Sequence, residues 1–112
     1  MQAIKRWESQ VRKGMLDYVI LLYLQNEEHY GYEMIRTIKS VAGIDISEGT
    51  IYPLLNRLKR EELIASRWVE METGLPRKYY LITDKGRQVL EEMRSSWTHF
   101  LSALEKLEGE QP

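Results

Sequence analysis

The chain has 112 residues, no cysteine, 43% hydrophobic and 29% charged residues, and a formal net charge of −1. This size fits a single soluble domain with a modest core that a partner helps to complete, and the lack of cysteine excludes disulfides and thiolate metal sites. Residues 1–7 lack the apolar core of a signal peptide. The longest apolar run, Tyr18 to Leu24, is far shorter than the roughly 20 residues that a bilayer requires. We therefore expect a cytoplasmic protein without membrane contact.

Two amphipathic helices are predicted in the first part of the chain. Apolar residues from Ile4 to Tyr18 recur at helical spacing, and the apolar run that follows predicts that this helix ends near residues 25–26. A second helix is expected from Tyr32 to Val41, with Gly43 ending it at a positive φ. Its inward residues are expected to be Ile35, Ile38 and Ala42.

A third helix is predicted to begin after Ser47, whose hydroxyl can cap it. Its inward stripe has i, i+3, i+4, i+7 spacing and consists of Ile51, Leu54, Leu55 and Leu58. The residues expected on its opposite face are Glu48, Tyr52, Asn56 and Lys59. Because proline is comfortable only in a first helical turn, Pro53 predicts either that the helix starts later than Ser47 or that it bends slightly.

A β-hairpin is predicted after the third helix. Residues 64–71 alternate loosely between apolar and polar, residues 73–76 have turn chemistry, and residues 78–82 are rich in tyrosine and aliphatic side chains. Tyr79 or Tyr80 is expected to pack in the core. The hairpin would form the wing of a winged helix, and the fold class is mainly α with this small β element.

Thr83 or Asp84 is expected to cap a long final helix. Its apolar residues are spaced alternately three and four apart, as at heptad positions a and d: Leu90, Met93, Trp97, Phe100, Leu104 and Leu107. A helix of about 25 residues is about 37 Å long, longer than so small a domain covers, so the stripe predicts a homodimer seam. The predicted divisions are a winged helix-turn-helix domain at 1–83, a dimerisation helix at 84–108 and a frayed tail at 109–112. The partner's first helix is expected to complete the seam through Ile4, Trp7 and Val11.

A capped helix followed by a basic hairpin is the arrangement with which a winged helix binds duplex DNA. The start of the third helix offers free N–H groups and small or hydroxyl side chains to phosphates or base edges. Asn56 is predicted to read adenine, and Arg57 to contact phosphate. Arg77 and Lys78 are expected to reach the backbone or the minor groove, and each phosphate contact adds salt dependence. The candidate DNA-binding residues are Ser47, Glu48, Gly49, Thr50, Tyr52, Asn56, Arg57, Arg77 and Lys78.

Charge is distributed unevenly along the chain although its sum is slightly negative. Basic residues outnumber acidic ones in residues 1–14 and 64–81, whereas residues 15–46 and 82–112 are net acidic. This asymmetry permits DNA binding without requiring it. The residues of the first helix that would add to a DNA surface are Lys5, Arg6, Arg12 and Lys13.

Three ordered blocks of this sequence resemble the PadR family of bacterial winged-helix regulators. They are YGYEMI at residues 30–35, GTIYPLLNRL at 49–58 and PRKYYLITDKG at 76–86. The single final helix resembles that of the short subgroup of the family. Two positions depart from the family pattern: Glu62 stands where glycine is usual and would sit less easily in a left-handed conformation, and the wing turn has Gly74-Leu75 where paired glycines are common.

The resemblance implies that the regulator is a repressor. A two-fold dimer must present both recognition helices to one face of the DNA, so the operator is expected to be a pseudo-palindrome with half-sites about one helical turn, roughly 34 Å, apart. In the short subgroup, a tryptophan at the place of Trp97 lines an aromatic effector pocket between subunits, and simple packing is an equally weighted interpretation of this residue. A ligand that prefers one dimer geometry would change the spacing of the recognition helices and hence the affinity for DNA. The expected pocket residues are Trp97, Met93, Phe100, Val11 and Met15.

Other functions are less well supported by the sequence. An enzyme is not expected, since there is no glycine-rich phosphate loop and the two histidines, His29 and His99, are isolated. No cofactor is implied. Residues 27–29 have metal-binding side chains, but an exposed loop is the favoured interpretation. The main alternative is a winged helix that binds protein and not DNA, which would suit the acidic balance better.

Overall fold

A computed structural model describes residues 2–109, which form four helices and three strands. The helices are α1 (Gln2–Leu24), α2 (Gly31–Ala42), α3 (Glu48–Arg60) and α4 (Asp84–Leu107), and the strands are β1 (His29–Tyr30), β2 (Ile64–Val69) and β3 (Arg77–Ile82). The strands make one antiparallel sheet in the order β1–β3–β2. The predicted winged helix with a long terminal helix is confirmed, and the short strand β1 is an addition to the predicted hairpin. The predicted fraying of the tail falls mostly on residues 110–112, which lie outside the described part of the chain.

The core forms where α1, α2 and α3 meet the sheet. The predicted apolar stripe of α3 is buried, and Tyr80, at 3% exposure, is the tyrosine of the pair that lies in the core. The prediction that Ala42 points inward was wrong, because the last turn of α2, where Val41 is also 81% exposed, extends past the core. The largest fully buried side chains are Ile20, Leu21, Leu24, Met34, Ile51, Leu55, Leu58 and Ile64.

The third helix begins directly after Ser47 and continues through Pro53, so the predicted alternative of a later start was wrong. The backbone carbonyl of Ser47 accepts from the N–H groups of Thr50 and Ile51, at 3.1 and 2.9 Å. The Ser47 hydroxyl does not cap the backbone as predicted. It instead donates a hydrogen bond to Thr50 Oγ1 at 3.2 Å.

The corner between α3 and α4 is tightly built. Glu62 adopts a left-handed conformation with φ of 62°, as expected at a position where the family usually has glycine. Thr83 caps α4, as predicted, by accepting from the N–H of Gly86 at 2.9 Å. It also donates its hydroxyl to the Glu62 carbonyl at 2.7 Å and its N–H to the Leu63 carbonyl at 3.1 Å. These bonds attach the start of the long helix to the winged-helix core.

The far part of α4 leaves the body of the protein. The radius of gyration is 16.6 Å, compared with about 13 Å for a compact domain of this size. Leu90 was predicted to lie in the dimer seam, but it is 4% exposed and belongs to the chain's own core. Of the predicted seam residues beyond it, Met93 is half-buried against the core, whereas Phe100, Leu104 and Leu107 are 61%, 58% and 83% exposed. None of the helices in residues 2–109 is long and apolar enough to cross a membrane.

Candidate nucleic-acid interface

A concave cleft of about 750 Å³ lies between α2, α3 and the wing. Its lining combines aromatic rings with basic side chains, and it includes four of the predicted DNA-binding residues. Aromatic faces and cations together suit a polyanion that also carries sugars and bases. The lining residues are Tyr30, Gly31, Tyr32, Arg36, Tyr52, Asn56, Trp68, Arg77, Lys78 and Tyr80.

The exposed face of α3 presents Tyr52 and Asn56 to this cleft. The ring of Tyr52 is held by Gly31 at the start of α2, where a Cβ would lie 2.7 Å from Tyr52 Cε1 and 2.8 Å from its hydroxyl oxygen. Burial, and then the nearby carboxylate of Glu48, raises the pKa of Tyr52. The Tyr52 phenol has an O–H that can donate a hydrogen bond to a phosphate oxygen.

The wing places its two predicted basic residues over aromatic rings. The guanidinium carbon of Arg77 lies 4.5 Å from the centre of the Tyr30 ring. The ammonium of Lys78 lies 5.7 Å from the ring of Trp68 and 5.9 Å from that of Tyr80. Desolvation, followed by the charge of Lys59, lowers the pKa of Lys78. An anion between these two ammonium groups would relieve their repulsion.

The structure places Arg57 differently from the sequence prediction. Its guanidinium donates to the Asp17 carboxylate of α1 at 2.6 Å and to Glu61 at 3.2 Å. The hydrogen bond to Asp17 is the main reason that the pKa of Arg57 is raised. Arg57 therefore braces α3 against α1, and a contact with phosphate requires this ion pair to open.

The first turn of α3 lies outside the cleft. The predicted residues Ser47, Glu48, Gly49 and Thr50 are exposed there, and Thr50 borders a smaller depression with Arg12 and Lys13 of α1. The depression therefore brings one residue of the helix start close to two of the four basic residues of α1 that were predicted to add to the DNA surface, and it does not include Lys5 or Arg6. The carboxylate of Glu48 adds a negative charge at this end, which would repel a phosphate.

Several cleft residues were missed by the sequence analysis: Tyr30, Tyr32, Arg36 and Trp68. Tyr30 belongs to the two-residue strand β1, which pairs with β3 through Tyr79. Trp68 could have been found from the alternation of β2, since it falls two residues after Ser66 and four after the buried Ile64. The signal was weak because the hairpin register was needed to assign the two faces.

The stretch at residues 27–29 was predicted to be an exposed loop, which holds for Glu27, whereas Glu28 is half-buried and His29 is half-buried in β1. His29 Nδ1 lies 2.9 Å from Glu33 Oε1 and 3.3 Å from the Tyr23 hydroxyl. Glu28 forms an ion pair with Arg67 of β2, and this hydrogen bonding lowers the pKa of Glu28. These contacts connect β1 to α1, α2 and the wing. Within residues 2–109, no group of three or more His, Asp or Glu side chains is arranged to hold a metal ion.

A second cleft, of about 450 Å³, lies between α1 and α4. Four of the five residues predicted to surround an aromatic effector line it, while the fifth, Val11, does not. The cleft also includes Asp17, the carboxylate that holds Arg57. Its lining residues are Gly14, Met15, Asp17, Tyr18, Val89, Glu92, Met93, Ser96, Trp97 and Phe100.

Comparison with known proteins gives the same family from sequence and from structure. A family model described as the transcriptional regulator PadR-like family matches residues 20–92. A PadR family transcriptional regulator from Eggerthella lenta aligns with a TM-score of 0.88 at 32% identity, over 98% of this chain and 96% of that one. A PadR-like transcription factor from Bacteroides fragilis aligns with a TM-score of 0.78 at 42% identity, over 91% of this chain and 98% of that one.

A curated relative extends the comparison to a longer protein. The transcriptional regulator YqjI of Escherichia coli is 39% identical over 83 residues, which are 72% of this chain and 38% of that protein. The family model covers well over half of the chain and includes α2, α3, the wing and the start of α4. The chain therefore belongs to the PadR-like family of transcriptional regulators.

Proposed function

We propose that this protein is a sequence-specific repressor that binds duplex DNA through α3 and the wing. The observation that carries the proposal is the cleft in which the recognition-helix residues Tyr52 and Asn56 face the wing residues Arg77 and Lys78. Side chains suited to base edges and side chains suited to phosphates thus border the same groove. Arg57 takes part only if it exchanges Asp17 for a phosphate.

We further propose that the protein acts as a homodimer through α4 and the first helix. Large apolar side chains on these two helices remain in contact with water, which a second copy would cover. Two-fold symmetry would present two α3 helices to one face of the DNA, with half-sites about one helical turn apart. The exposed residues are Ile4, Trp7, Phe100, Leu101, Leu104 and Leu107.

The roles of Arg77 and Asn56 predict different binding defects. Arg77→Ala should weaken binding to all sequences about tenfold and reduce the salt slope by about 0.9, because it removes one phosphate contact. Asn56→Ala should cost about 1–3 kcal/mol at one base pair and leave the salt slope unchanged. Fluorescence anisotropy over a salt series measures both. Lys106→Ala, in the last turn of α4, is the charge-matched control for Arg77→Ala. If Arg77→Ala and Asn56→Ala lost affinity equally for all sequences, the assignment of Asn56 as a base reader would be contradicted.

The experiment that tests the proposed function is selection of a random duplex library on the purified protein at moderate salt, followed by sequencing of the retained DNA. Enrichment of a two-fold symmetric motif is expected from a dimeric, sequence-specific regulator. Retention without any motif would contradict sequence-specific binding, and no retention would contradict the proposal and favour a winged helix that binds protein. A reporter gene placed behind the selected motif then tests repression, and increased transcription would contradict that part of the proposal.

We propose that a planar aromatic ligand in the α1–α4 cleft releases the DNA. Trp97 is 36% exposed and shares the cleft with Met15, Met93 and Phe100, and flexible thioethers beside aromatic rings suit a flat apolar ligand. Asp17 in the same cleft holds Arg57 on α3, which gives ligand binding a direct contact with the recognition helix. A variant that keeps only Trp97, with Trp7 and Trp68 changed to Phe, should change its emission with some members of a panel of planar aromatics. Unchanged emission with the whole panel would contradict this site.

A further inference from the structure

The wing carries a large apolar side chain that the fold does not bury. Trp68 of β2 is 66% exposed, although a tryptophan usually places most of its ring in a core or an interface. It does not line the cleft between α1 and α4 but lines the cleft between the wing and the recognition helix. A partner at this cleft, and not the dimer seam, is therefore the surface that would cover it.

The strand register places the indole on the side of the wing that faces the recognition helix. Alternate residues of a strand share a face, and the cross-strand pairs on this face are Ile64 with Ile82, Ser66 with Tyr80, and Trp68 with Lys78. At one end of the face, Ile64 and Ile82 are 2% and 6% exposed in the core beneath the helices. At the other end, the face extends beyond the core, where Trp68 borders the same cleft as Tyr52.

The surroundings of Trp68 match the chemistry of a nucleic-acid backbone. The Lys78 ammonium lies 5.7 Å from the centre of the ring, and Arg77 and Arg36 line the same cleft. A DNA strand alternates phosphates, which attract these cations, with deoxyribose rings, which offer apolar surface. Trp68 pairs directly with Lys78 across the sheet. If Lys78 binds a phosphate, the indole of Trp68 would therefore meet the sugar next to that phosphate.

We propose that Trp68 is a DNA-contacting residue whose indole packs against the deoxyribose adjacent to the phosphate that Lys78 binds. This inference rests on the proposed DNA-binding function and adds a residue to it. The contact carries no charge, so it releases no counterions and contributes the same share of affinity at every salt concentration. It also reads no base edge, so its contribution is similar for all sequences.

Binding of Trp68→Ala to a labelled mixed-sequence duplex of about two helical turns, roughly 21 base pairs, tests the proposal by anisotropy over a salt series. We expect about tenfold weaker binding at every salt concentration with an unchanged slope, as for the loss of a buried apolar contact. Lys78→Ala, in contrast, should reduce the slope by about 0.9. Trp68→Phe should recover part of the affinity. Val41→Ala, which shortens another exposed apolar side chain outside the cleft, is the control.

A spectroscopic measurement separates a direct contact from an effect transmitted through Lys78. In a variant with Trp7 and Trp97 changed to Phe, Trp68 is the one remaining tryptophan, and its emission should change when the same duplex is added. The proposal would be overturned if Trp68→Ala bound DNA as tightly as the wild type. It would also be overturned if Trp68→Ala lost affinity with the same reduced salt slope as Lys78→Ala while the emission of Trp68 did not change on adding DNA. If the wild-type protein binds no duplex, the proposed function itself is overturned, and this inference with it.

Discussion

Replacing Gly86 with alanine is expected to lower the free energy of unfolding by about 3 kcal/mol. A Cβ at this position would lie 2.0 Å from the carbonyl oxygen of Leu63 and 2.8 Å from Ile82 Cγ1. The Leu63 carbonyl belongs to the backbone and cannot relieve the clash by rotating as a side chain would. The start of α4 must therefore move away from the turn after α3. That movement would break the hydrogen bond from the Thr83 N–H to the Leu63 carbonyl. The gain of about 1 kcal/mol that alanine brings to a helix interior is smaller than this loss.

A second buried helical glycine supplies the matched control for Gly86. In Gly31→Ala, the new Cβ would be 2.7 Å from Tyr52, but the atoms it meets are at the far end of a side chain that can rotate. We therefore expect a small loss of stability and a larger loss of DNA affinity, since Tyr52 leaves the cleft. Urea denaturation at one fixed protein concentration compares the two variants. Equal midpoints for Gly86→Ala and the wild type would show that α4 does not depend on this close approach.

The helices could be predicted from the sequence because each has a strong local pattern. The i, i+3, i+4, i+7 stripe of α3 is buried as expected, and Gly43 ends α2 with φ of 70°. The hairpin register was harder. The turn signals at residues 73–76 do not reveal that Val69 pairs with Arg77, and a shift of one residue reverses the faces of a strand. The two-residue strand β1 carries too few residues for any periodic signal.

The candidate site was predictable where it depends on motifs and unpredictable where it depends on distant partners. Asn56, Arg77 and Lys78 come to one cleft, as the order of helix and wing indicated. The partner of Arg57 is Asp17, 40 positions away in sequence, and no local sequence pattern predicts that ion pair. Trp68 was overlooked because the alternation within β2 is a weak signal, and its pairing with Lys78 of β3 is needed to assign the face on which it lies.

The double variant Leu104→Asp/Leu107→Asp is expected to abolish dimerisation and to weaken binding to a two-fold operator about 100-fold or more. These side chains are 58% and 83% exposed in the single chain, so their replacement leaves the folded core intact. In a dimer seam they would be buried, and two carboxylates on each chain would then face each other without compensation. Sedimentation velocity measures assembly, and anisotropy measures binding to the operator and to an isolated half-site.

The reason to expect a partner at α4 lies in the helix itself. Every residue from 95 to 109 is exposed, and a helical segment of about 15 residues is marginally stable in water by propensity alone. The far turns of α4 therefore need a packing surface, which its apolar stripe would obtain from a second copy. Val41→Asp places a charge on an equally exposed apolar position of α2 and should leave assembly unchanged. If the double variant stayed dimeric, or bound the full operator as tightly as the wild type, α4 would not be the seam.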